Sequence, residues 1–175
     1  MTPQLSNTLN ALFDARVPQH WVFTVGGDEL SWLSSTLGVW FAGLLLRDAQ
    51  LRTWLGTGRP KVYWLTGFFN PQGFLTAMRQ EVTRQHKKDR WALDDVVFHS
   101  EVLEYERLDQ VRAAPREGVF VHGLFLDGAA WSRADSSLVE SEPKRLFAPL
   151  PVLYITAVTK AQQKVKQGDL GPFGG

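Results

Sequence analysis

The chain has 175 residues, 19 basic and 18 acidic side chains, a net charge of +1 and no cysteine. That length fits one domain or part of one, and 44% hydrophobic with 21% charged residues is a globular composition, not a disordered one. The balanced charge gives no electrostatic footprint for nucleic acid or for an anionic membrane. The missing cysteines exclude disulfides, thiolate zinc sites and thiol nucleophiles, and fit a reducing compartment.

The first ten residues lack the basic start and apolar run of a signal peptide. The longest strongly apolar stretch, 37–46, is too short to span a bilayer. An intracellular protein without membrane contact is expected.

Residues 3–13 read as a helix: Thr2 suits the cap, Pro3 the first turn, and Leu5, Leu9, Leu12 and Phe13 recur at helical spacing. Val17-Pro18 ends it, and Gly26-Gly27-Asp28 signals a turn. Ser34 or Ser35 is placed to cap a second helix running to about Leu55. Its apolar stripe would be Leu37, Trp40, Phe41, Leu44, Leu51, Trp54 and Leu55, and Gly56-Thr57-Gly58 its stop. Residues 61–65 are β-like. Asn70-Pro71 opens a third helix over 71–86, with Phe74, Leu75, Met78 and Val82 on its inner face. The cluster His86, Lys87, Lys88 and Arg90 reads as its solvated C-terminal turn.

After Trp91 the apolar period changes from 3.6 to 2. Strands are expected over 96–103, 119–126 and 151–158. A turn is expected at Pro115-Arg116-Glu117-Gly118, and flanking strands around the polar loop 132–137. Residues 160–175 read as a polar, Gly-rich tail. Helices first and strands second mean α+β: N-terminal helices followed by a small, incomplete antiparallel β-barrel or sheet. The expected organisation is 1–90 helical, 91–158 β and 159–175 tail.

No phosphate-binding G-x-x-x-x-G-K-[ST], dinucleotide G-x-G-x-x-G or G-x-S-x-G elbow occurs, and His20, His86, His99 and His122 form no compact metal pattern. Asp94-Asp95 with Glu101 and Glu104 read as a turn and a strand's solvent face rather than a carboxylate pair. His122, on a face with Phe120 and Leu124, reads as a buried, hydrogen-bonded histidine. Ser136-Ser137 reads as a hairpin loop. The aromatics of 64–69 and 120–131 read as core, since base-stacking platforms come with basic residues. No catalytic, cofactor-binding or metal-binding residue is expected, and no cofactor.

Four segments carry a resemblance. They are Tyr63-Trp64-Leu65-Thr66-Gly67-Phe68-Phe69-Asn70-Pro71-Gln72-Gly73-Phe74-Leu75-Thr76-Ala77; Trp91-Ala92-Leu93-Asp94; the run from Pro115-Arg116-Glu117-Gly118 to Asp127-Gly128-Ala129-Ala130-Trp131; and Pro149-Leu150-Pro151-Val152-Leu153-Tyr154-Ile155. In order and spacing they resemble the C-terminal region of dynein heavy chains. Gln72-Gly73-Phe74 with Met78-Arg79-Gln80-Glu81 is most similar to axonemal outer-arm chains of the gamma type, while 23–30 and Lys88-Asp89-Arg90 depart from the pattern.

The resemblance implies a non-catalytic module of helices and a small β-barrel on one face of the AAA+ motor ring of the same heavy chain. Other axonemal dynein subunits and microtubules would be reached through the full-length protein, in the cytoskeleton of a cilium or flagellum. Phe68, Phe69 and Phe74 would be core or ring-facing anchors, and the ATP-binding loops would lie upstream. The family continues past the position of Gly175 with further strands, so unpaired sheet edges and self-association are expected here. The competing readings are a free-standing interaction module with an open strand edge, and a small enzyme built on His122 and Asp94-Asp95.

Overall fold

The computed structural model describes residues 2–22, 27, 32, 34, 36–105, 107–145 and 147–169, the last four of these by their backbone alone. The chain divides into two compact units, 1–56 and 57–175. The third helix therefore belongs with the strands.

In the first unit, α1 spans Pro3–Phe13, with the Thr2 hydroxyl accepting from Leu5 N–H at 3.3 Å and Pro3 in the first turn. Helix α2 spans Leu37–Thr57. Its start is capped by Thr36, whose hydroxyl accepts from Val39 N–H at 3.3 Å. Ser34 lies two residues short of that cap, and Ser35 lies outside the described residues. Of the expected Gly26-Gly27-Asp28 turn only Gly27 is described, at φ +89°. Gly58, at φ +91°, ends α2 where the sequence predicts.

The second unit is built on a four-stranded sheet of order β1-β3-β8-β2. Its strands are β1 (Tyr63–Trp64), β2 (Val96–Val102), β3 (Val119–His122) and β8 (Leu153–Thr159). β2 and β3 flank β8 antiparallel, whereas β1 runs parallel to β3 in the register Tyr63–Val121 and Trp64–His122. Central position explains β8: Ile155, Thr156, Ala157 and Val158 are all buried, as a strand covered on both faces demands.

The expected strand 119–126 is two strands in two sheets. Gly123, at φ +81°, turns the chain after His122. β4 (Phe125–Asp127) then pairs with β7 (Phe147–Pro149). β5 (Ala129–Ser132) and β6 (Ser137–Glu140) form the expected hairpin around the polar loop. The sheets are open, and no closed barrel forms among the described residues, so the α+β class and the incomplete sheet both stand.

Helix α3 spans Pro71–Gln85 and packs on β8 and β2. Met78 and Val82 are buried on its inner face, with Phe74 and Leu75 half-buried. The polar stretch read as a tail contains a further helix, α4, over Lys160–Asp169. Thr159 and Gln162 start it reciprocally: Thr159 N–H donates to Gln162 Oε1 at 3.0 Å, and Gln162 N–H donates to Thr159 Oγ1 at 3.3 Å. Residues 170–175 lie outside the described residues. No helix among those described is long and apolar enough to cross a membrane.

Candidate functional site

The residues weighed for catalysis do not converge. Asp94 and Asp95 lie exposed in a 3-10 turn. Glu101 reaches His99 Nε2 at 2.8 Å, and Glu104 accepts from the Ser136 hydroxyl at 2.6 Å. His122 is half-buried beside Trp131, Tyr105 and Pro149, and burial pushes its imidazole below the ordinary value. Its ring has no hydrogen-bond partner among the described residues, which corrects the expected hydrogen-bonded histidine. Among the described residues no group of three or more His, Cys, Asp or Glu could hold a metal ion.

The four sequence segments do converge, but on one another. Trp64 of the first segment lies so close to Gly123 of the third that a Cβ there would sit 2.3 Å from its indole Cδ1. Thr66 Oγ donates to the Gly123 carbonyl at 3.0 Å. Tyr63 and Phe68 gather against Phe74, with ring centroids 4.9 and 4.4 Å from it, while Phe69 stays 47% exposed. Trp91 of the second segment stacks on His86 at 4.0 Å, and His86 Nε2 meets Glu117 of the third at 3.0 Å. Tyr154 of the fourth donates its hydroxyl to the Glu117 carbonyl at 3.0 Å. The Arg59 guanidinium donates to the next carbonyl along, that of Gly118. These contacts fix the sheet unit; they do not form a reaction centre.

The first unit presents surface instead. On α1 the expected inner stripe is uncovered: Leu5 and Leu9 are about half exposed and Phe13 is 91% exposed. Of the expected stripe of α2, Trp40 is buried and Leu37, Leu44, Leu51 and Trp54 are half-buried. Trp40, Arg47 and Trp54 recur every seven residues, two turns apart, and share its inner face. Phe41 and Leu55 fall off that line and are exposed, together with Leu45 and Leu46. The inward Arg47 is held by aromatic faces: Trp32 stacks on Trp40 with centroids 5.1 Å apart, and the guanidinium lies 4.1 Å from the Trp32 ring centre. Its Nη1 also donates to the Gly43 carbonyl at 3.2 Å, and burial lowers its pKa. The exposed apolar residues of α2 gather mainly in its first half, at Val39, Phe41, Leu45 and Leu46, whereas Asp48 and Arg52 pair at 2.7 Å on the exposed side of its second half. Exposed apolar patches of this kind mark interaction surfaces.

Comparison with known proteins gives the family. Residues 1–170 match the family model for the C-terminal domain of the dynein heavy chain. The protein belongs to that family. It is 52% identical over 164 residues to human dynein axonemal heavy chain 8, covering 94% of this chain and 4% of that protein. It is 52% identical over 161 residues to the flagellar outer-arm dynein gamma chain of Chlamydomonas reinhardtii, covering 91% of this chain and 3% of that protein. With the outer-arm beta chain of the same alga the identity is 40% over 168 residues, covering 95% and 4%. The higher identity to the gamma chain agrees with the resemblance seen at Gln72-Gly73-Phe74. This dynein C-terminal domain thus spans only a few per cent of the length of the heavy chains it matches.

Proposed function

We propose that this protein is the non-catalytic C-terminal module of an axonemal dynein heavy chain, acting in cilia or flagella. In this reading it packs on the AAA+ ring of its own heavy chain and modulates ATP-driven movement along microtubules. The observation that carries the reading is the uncovered apolar surface of α1 and α2 in a domain of this family. ATP hydrolysis and microtubule contact belong to the rest of the heavy chain, and other axonemal subunits are met through it. The relatives named axonemal and flagellar outer-arm support the location.

The test is an outer-arm heavy chain with and without these residues. Deletion leaves nucleotide binding intact and changes steady-state ATPase or microtubule-gliding velocity. Equal ATPase and equal velocity overturn the modulating role.

A second reading, a free-standing interaction module, draws on β2, which stands at the edge of the four-stranded sheet with no strand on its other side among the described residues. Pro substitution at Ser100 tests it. Lost partner capture with unchanged motor output favours this reading over the first.

A further inference from the structure

His86 closes α3, at the end where a helix favours positive charge. Arg90, at φ +58°, reverses the following turn so that Trp91 folds back onto the imidazole, 4.0 Å away and 13° from parallel. Both ring nitrogens then face carboxylates: Nδ1 lies 2.8 Å from Asp89 Oδ2, and Nε2 lies 3.0 Å from Glu117 Oε2. Glu117 is 31 residues away, in the turn that leads through Gly118 into β3.

Only the imidazolium can donate from both nitrogens. The neutral ring donates from one and faces the other carboxylate with a lone pair. The cation is also the form that gains from the Trp91 face.

We propose that His86 is a pH-sensitive latch that fastens the end of α3 to the turn entering β3. Its surroundings support the charged form. Asp89 faces it from its own turn and Glu117 from the turn before β3. From β8 comes Tyr154, whose hydroxyl is spent on the Glu117 carbonyl. From α4 come the neutral side chains Gln162 and Val165, which line the same cavity of about 490 Å3. The cations nearby in sequence, Lys87, Lys88 and Arg90, and Lys160 and Lys164 of α4, are exposed.

Hydrogen bonds to Glu117 and then Asp89 raise the pKa above the ordinary histidine value. A raised folded-state pKa means that the latch is fully closed below the unfolded value of about 6.5. It opens as pH rises through the folded value.

The test uses the whole chain. The His86 ring is titrated by NMR, and amide protection of Gly118 and Val119 is followed across the same pH range, corrected for intrinsic exchange. The ring is expected to titrate above the ordinary value, and protection of both amides to fall several-fold as it deprotonates. His86→Gln should remove that pH dependence. Glu117→Gln should lower the ring's pKa, and it stands as the second variant if His86→Gln does not fold. A ring titrating at or below the ordinary value overturns the latch. So does an unchanged pH dependence of protection in His86→Gln, or an unmoved ring pKa in Glu117→Gln.

Discussion

The side chain of Asn70 accepts a 2.7 Å hydrogen bond from the N–H of Gly73, and a Cβ on Gly73 would stand 2.9 Å from Asn70 Nδ2. The cap and the glycine are thus one device. Asn70→Ala should destabilise the protein by about 1 kcal/mol through loss of the cap. Gly73→Ala should fail to deliver the roughly 1 kcal/mol that alanine normally adds inside a helix, because the methyl group displaces the capping amide. Phe74→Ala should exceed both at about 3 kcal/mol, since Phe74 carries the contacts to Tyr63 and Phe68. Urea midpoints order the three. A clearly stabilised Gly73→Ala contradicts the coupling.

Gly123→Ala should be worse than any surface substitution. The backbone there is left-handed, which costs a non-glycine residue about 1 kcal/mol, and the added Cβ meets the Trp64 indole at 2.3 Å. Together these predict a loss above about 2 kcal/mol. Thermal unfolding checks it, and the shift should be accompanied by a changed Trp64 environment.

His122 sets a pH dependence of the opposite sign to that of His86. Burial lowers its folded-state pKa, so the unfolded state binds the proton more readily. Its contribution is complete above an unfolded value of about 6.5 and is lost as pH falls from there through the folded value. His122→Gln should flatten that part of the stability curve on the acid side while leaving the slope above it. An unchanged acid slope contradicts the assignment.

Local signals are legible in the sequence and distant ones are not. Thr2-Pro3 and Asn70-Pro71 start helices where they stand, because a cap is an interaction over three residues. The apolar stripe of α2 omits Arg47 because its burial depends on Trp32, fifteen positions upstream, closing over it. Residues 119–126 read as one strand because the alternation continues through Gly123, whose positive φ moves the backbone into another sheet. Helix α4 has a readable signal, Thr159-Lys160-Ala161-Gln162, a capping-box pattern outweighed by the polar, Gly-rich composition beyond it. The short β7 has only three residues and carries no periodic signal. Nothing in the sequence pairs His86 with Glu117; the fold brings them together.

The exposed leucines make a prediction about the isolated domain. With Leu5, Leu9, Phe41, Leu45 and Leu46 uncovered, it should self-associate as concentration rises. Light scattering should show less association for Phe41→Ser/Leu45→Ser/Leu46→Ser. Folding stability should change by less than about 0.5 kcal/mol per site, as expected of surface positions. Equal association in the variant would assign the contact to the strand edges.

On the proposed function, the rest of the heavy chain covers the exposed apolar residues of α2. Hydroxyl-radical footprinting of Phe41, Leu45 and Leu46 in the isolated domain and in the intact heavy chain tests it most directly. Several-fold protection of these three residues in the intact protein is the predicted result, with an exposed reference such as Leu138 of β6 unchanged. Equal modification of all three in the two samples would contradict the account.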